Sequence, residues 1–167
     1  LYVLRDNNNN TVEVALELLN PYDSEISLAN WRILFNRIRA STPFTIPSTT
    51  VIRAGSSVTP SRLVIQSNNS SVPVTGTSVT LTGFGLNTLL ADANSIDLQR
   101  PDPSDPNPAS PTMFITVDRI PKSQILLMLT DNPADGQPTI HSLKRQDTGW
   151  KFTNAGAFVH QQAVPPA

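Results

Sequence analysis

The residues with the chemistry to catalyse anything are few, and the two histidines, His141 and His160, come first. They are nineteen positions apart in a chain without cysteine, and that is no metal-ligand spacing. No serine sits in the Gly-x-Ser-x-Gly turn that exposes a hydrolase nucleophile. His141 therefore reads as a polar residue at a strand edge, and no catalytic residue is expected. The segment Asp131-Asn132-Pro133-Ala134-Asp135-Gly136 carries aspartates at the first and fifth positions of a calcium loop and a glycine where such loops turn sharply. Pro133 fills one ligand position without an oxygen, and the closing carboxylate is missing. Asp131 and Asp135 are thus weak metal candidates, and a type I turn with Asp and Gly in their usual places is the expected reading. Asp102 and Asp105, set between prolines, offer no fuller ligand set. Glu13 and Glu17 share a strand face, as glycosidase carboxylates do, but that face is opposite the valines and leucines and is expected to be solvated. Trp150, beside a turn, either caps the core or stacks on a sugar or partner. Asn9, Asn68 and Asn69 each open an Asn-x-Ser/Thr triplet; in a eukaryotic secreted chain these would be glycan sites, and otherwise they are polar loop residues. No cofactor is expected, and the chain is expected not to be an enzyme.

Composition narrows the partners. The 167 residues carry a formal net charge of −1, with 15% charged and 38% hydrophobic residues. That is enough apolar material for a core, but no basic field to neutralise nucleic acid or to dock on anionic lipid. No apolar run approaches a membrane span, so membrane insertion is not expected. The absence of cysteine removes disulfides, thiolate chemistry and cysteine lipidation. The chain opens at Leu1, and a processed chain or a piece of a longer one is expected.

The elements that would position any site are short strands. Fifteen prolines and seven glycines interrupt the chain too often for long helices. Val12, Val14, Leu16 and Leu18 alternate with Glu13, Ala15 and Glu17, the period of a half-buried strand. Ile26 and Leu28 share one phase, whereas Trp31, Ile33 and Phe35 take the other, with a bend or bulge between them at Ala29-Asn30. Further strands are expected around Phe44, Val51-Ile52, Ile65, Val79, Ile96 and Leu98, Ile115 and Val117, Ile125 to Leu129 (with Leu127 inward), and Ile140 to Leu143. Asp147-Thr148-Gly149 reads as a hairpin turn into Trp150. The predicted core is Val12, Val14, Leu16, Leu18, Leu28, Trp31, Ile33, Phe35, Phe44, Ile65, Ile96, Leu98, Ile115, Val117 and Leu127. Only Leu86 to Ala93 has a helical pattern, a short turn at most. Pro101 to Pro111 holds too many prolines to join a central strand and is expected as an extended excursion. Many short strands separated by turns indicate an all-β sandwich or barrel.

The order of these motifs resembles the lamin tail domain family, in particular its bacterial members. The resemblance rests on Val14 to Leu19 running into Asn20-Pro21, on Ile26-Ser27-Leu28-Ala29-Asn30-Trp31-Arg32-Ile33, and on Phe44-Thr45-Ile46-Pro47. It continues through Val51-Ile52-Arg53-Ala54-Gly55, Leu63-Val64-Ile65, Phe84-Gly85-Leu86-Asn87, Asn94 to Leu98, Val117-Asp118 and His141 to Arg145. It spans about Val12 to Phe152. Two stretches depart from the pattern: the insertion between Leu63 and Phe84, and the proline-rich run after Pro101. The phrase Leu18-Leu19-Asn20-Pro21-Tyr22 is also similar to pilus-associated surface cassette proteins of bacteria.

The resemblance implies an immunoglobulin-like antiparallel β-sandwich with long loops. The expected division is an amino-terminal arm over 1–11, the sandwich over 12–155 and a carboxy-terminal tail or linker over 156–167. The family also implies interaction or anchoring rather than chemistry, in an extracellular or cell-surface setting. The expected function is a noncatalytic module of such an assembly, with a filament or pilus-like subunit as its most specific form, whose partner is another protein or a second copy of the chain. The alternative is a carbohydrate- or protein-binding module attached to a larger exported protein.

Overall fold

The computed structural model describes residues 2–5, 11–56, 58–59, 61–67, 77–82, 84, 92–125, 140–146 and 149–154; for 2–5, 11–14 and everything beyond 139 the description covers the backbone alone. Within them the chain is an all-β sandwich. Its strands are β1 (Tyr2–Arg5), β2 (Thr11–Asn20), β3 (Ile26–Ser27), β4 (Arg32–Arg37), β5 (Thr42–Thr45), β6 (Val51–Ile52), β7 (Ser61–Gln66), β8 (Thr77–Thr80), β9 (Ala93–Pro101), β10 (Phe114–Pro121), β11 (Ile140–Gln146) and β12 (Gly149–Asn154). One sheet has the order β12-β11-β1-β2-β7-β8, a second β10-β9-β4-β5, and β3 pairs with β6. All described pairs are antiparallel except β7 with β8.

The core forms where period-two strands from both sheets turn the same kind of side chain inward. Leu16, Leu63 and Ile65 of the six-stranded sheet meet Ile33, Phe35, Ile96 and Ile120 of the four-stranded one, with Leu28 and Ile52 closing one end. Phe35, Phe44 and Phe84 make a triad of edge-to-face rings, 5.3–5.8 Å between centroids. That geometry matches the positive ring edge to the negative ring face and adds to what burial alone contributes. Leu18, Trp31, Phe44 and Leu98 are half-buried against this cluster.

The turn chemistry follows the sequence closely. Asn30 adopts φ 62°, a left-handed conformation that asparagine tolerates better than most residues. Together with Ala29 it makes the turn that switches phase between Leu28 and Trp31. Asn20 is fully buried, yet its amide is satisfied: Nδ2 donates to the carbonyls of Ser24 and Arg53, and Oδ1 accepts from the Tyr22 amide. Tyr22 in turn accepts from the Gly55 amide. The Asn20-Pro21 and Ala54-Gly55 segments are therefore one interlocked corner.

Several expectations need correction. Tyr2–Arg5, assigned to an amino-terminal arm, is a strand lying between β2 and β11; its few apolar residues are cut off by the asparagine run, so the sequence gives no period to read. The β2 face carrying Ala15 and Glu17 is not a solvated one: Ala15 is fully buried and Glu17 half-buried. β2 lies inside the sheet, and Val64 of β7, opposite Glu17, is buried as well. Ile125 lies in a helical turn, described over 122–125, instead of starting a strand. Ile115 and Val117 are 37% and 49% exposed, not core. They lie on β10, which pairs only with β9 among the described residues, and Val117 is the extra residue of a bulge between Thr116 and Asp118. Edge position and bulge together carry both side chains away from the opposite sheet. The side chains of Val12 and Val14, and all of Leu127 and of 86–91, lie outside the described residues, as does the tail assigned to 156–167.

Candidate functional site

The most distinctive surface is built by β9, β10 and the loop between them. The ladder continues past the Pro101–Phe114 pair through the Asp102 amide, which donates to the Met113 carbonyl at 2.9 Å. Prolines cannot donate, so this loop must find its order elsewhere. It finds it in Asp105, 6% exposed, whose carboxylate accepts from the backbone amides of Asn107, Thr112 and Met113 and from the Thr112 hydroxyl. These donors, led by the Asn107 amide, hold the Asp105 carboxyl below its ordinary value. Asp102 is likewise lowered, by the Ser104 amide and hydroxyl. Both carboxylates are thus engaged by N–H and O–H donors, the opposite of a metal site. Among the described residues no group of three or more His, Asp or Glu could hold an ion. The proline-rich run is a pinned loop whose crest, Pro103-Ser104 and Pro106 to Ser110, is exposed.

From this loop the chain enters β10, where Met113 (44% exposed), Ile115 and Val117 form an apolar strip along the sheet edge. An edge strand presents unpaired N–H and C=O groups, and apolar side chains beside them are what another strand would cover.

The face of the same sheet turned away from the core carries polar groups in rows. Thr45, Arg32, Gln99 and Thr116 stand abreast across β5, β4, β9 and β10. Arg32 Nε donates to Gln99 Oε1 at 2.7 Å, Gln99 Nε2 donates to the Thr116 hydroxyl at 3.1 Å, and the Arg32 guanidinium lies 3.6 Å over the Phe114 ring. In the next row Arg119 grips Asp97 through Nε and Nη2, both at 2.8 Å. Asp97 is 1% exposed and raises the Arg119 pKa further above its ordinary value. Arg37 similarly binds both oxygens of Asp92, and this pairing lowers the Asp92 pKa. The Arg32 and Arg119 contacts clamp β10 to β9 and β4, and the Arg37 pair ties the end of β4 to the residue before β9.

The residues singled out from sequence are not gathered here. His141 stands on β11 opposite Val3 and Asn154, and Trp150 on β12 opposite Arg145. His160, Asp131, Asp135, Asn9, Asn68 and Asn69 lie outside the described residues. The features missed from sequence are Arg32, Asp97, Gln99, Arg119 and the ordering role of Asp105. For Asp97 and Gln99 the signal is a polar residue at every second position of β9, which reads equally well as a wet face; the other three carry none. No helix among the described residues is long and apolar enough to cross a membrane. No protein-family model matches the chain, and no curated protein matches it.

Proposed function

We propose that the protein is a noncatalytic interaction module of the immunoglobulin-like, lamin-tail type, working in a bacterial extracellular or cell-surface assembly, with β10 as its docking edge and a second copy of the chain as its first partner. The observation that carries this reading is the exposed strip Met113, Ile115 and Val117 on an edge strand of eight residues. Strand addition at such an edge gains backbone hydrogen bonds and covers apolar surface together. The bulge at Val117 limits regular pairing to the stretch beside the pinned loop, which sets the register and supplies a rigid flank. Repeated pairing of this kind would build a filament.

The test is sedimentation of the full chain over a wide concentration range, with the Ile115→Lys/Val117→Lys double variant beside it. Reversible association lost in the variant supports the reading. A monomer at every concentration contradicts it. Retained monomers that bind a glycan array would favour the carbohydrate-binding alternative.

A further inference from the structure

Three arginines of β4 and β10 make polar contacts around the four-stranded sheet, and they are not equivalent. Arg37 and Arg119 each hold a carboxylate through two nitrogens, Asp92 and Asp97 respectively. Arg32, half-buried at the opposite end of β4 from Arg37, has no carboxylate among the described residues. Its side chain is nevertheless fixed. Nε is tied to Gln99, which is tied to Thr116, and the guanidinium plane rests on Phe114. The bonds shown leave both Nη groups, the fork that matches a carboxylate, without a protein acceptor. Thr116, having accepted from Gln99, keeps its own O–H to donate, and Thr45 stands exposed on the other side of Arg32. Burial lowers the Arg32 pKa, the mark of a cation that has lost water without gaining an anion.

We infer that Arg32 is a preorganised receptor for a carboxylate, donated by an Asp or Glu side chain of the protein that docks at β10. A partner's acidic side chain fits because Phe114, on which the guanidinium rests, belongs to the docking strand itself. A segment paired along β10 therefore passes within reach of the free fork. The ordering cost is already met by Gln99 and Phe114, so a single ion pair here gains more than a mobile surface pair.

The inference rests on the interaction reading, yet the two can fail separately. The probe is the capped tripeptide acetyl-Gly-Glu-Gly-amide, with its Gln counterpart and sodium glucuronate beside it, titrated into the ¹⁵N-labelled chain. The Glu peptide should give a saturable shift of the Arg32 Nε–H and of the Thr116 amide, with a Kd on the order of millimolar. The Gln peptide should give none. Arg32→Lys should weaken the response roughly tenfold, and Arg32→Gln should abolish it at an unchanged unfolding midpoint. If Arg32→Gln fails to fold, the wild-type and Arg32→Lys titrations still decide. Equal responses to the Glu and Gln peptides, or equal shifts at Arg37 and Arg119, would overturn the inference. Tighter binding of glucuronate than of the peptide would overturn its assignment to a protein partner. A chain that stays monomeric while Arg32 still titrates would sink the edge pairing and leave the carboxylate site standing.

Discussion

The two edges of the four-stranded sheet are built to opposite specifications. β5, at one edge, has four residues, and Pro43 takes a backbone donor out of it. Its outward residues Pro43 and Thr45 are exposed and offer little apolar surface, while Phe44 holds it to the core beside Phe35 and Phe84. β10, at the other edge, is twice as long, has its only proline at the last position, and exposes Ile115 and Val117 with Met113 leading in. Natural sheets usually blunt their edges with short strands, prolines and charge. One edge here follows that practice. Among the described residues the other is protected only by a bulge, and it is clamped from behind by Arg119–Asp97 and flanked by a loop pinned on Asp105. Rigidity invested behind an unprotected edge is what a docking surface requires.

The contrast can be broken first at β10. Charging the strip with Ile115→Lys/Val117→Lys should weaken self-association by at least about a hundredfold, close to 3 kcal/mol. Stability should change by less than about 0.5 kcal/mol, because both side chains are already exposed; sedimentation and urea unfolding read the two effects. Removing the clamp with Arg119→Ala strands the buried Asp97 carboxylate. Because Arg119 itself is largely in water, the loss should be about 1–2 kcal/mol and not the full cost of a buried pair, and urea midpoints compared with wild type check it.

Acid should act on the loop. The Asp105 carboxyl is depressed in the folded state, so its contribution is fully present above the ordinary value of about 3.9 and is lost as pH falls through the lower folded value. The Thr112 and Met113 amides should therefore hold their resonances from pH 8 to about 5 and lose protection only below about pH 4. Asp105→Asn should show the loosened loop already at neutral pH. The smallest effect belongs to the blunt edge. Pro43→Val restores a donor and should leave stability within about 0.5 kcal/mol, while adding a weak second mode of association visible only at high concentration in sedimentation.

How much of this could be read from the residues depends on the range of the interaction. Strand positions at Val14–Leu18, Ile33–Phe35 and Ile96–Leu98 were legible because period two is local. The Ala29-Asn30 break was legible because asparagine advertises a left-handed turn. What period two cannot say is which strand has neighbours on both sides. Ile115 and Val117 have the same alternation as Ile96 and Leu98, yet one strand is an edge and the other is internal. Asp97 alternates like any solvent-facing residue and is buried by an arginine twenty-two positions away. Asp105 looked like one polar residue in a proline run, and its donors, Thr112 and Met113, lie seven and eight residues on. Tyr2–Arg5 has too few residues to show a period at all.

The most direct test of the open edge is amide hydrogen exchange along β10, measured at several concentrations of the full chain with β5 as the internal reference. The account predicts that outward β10 amides exchange freely in dilute solution and become protected as concentration rises, while β5 amides keep the same rates throughout. Equal exchange at every concentration in both strands, or protection of β5 in place of β10, would contradict it.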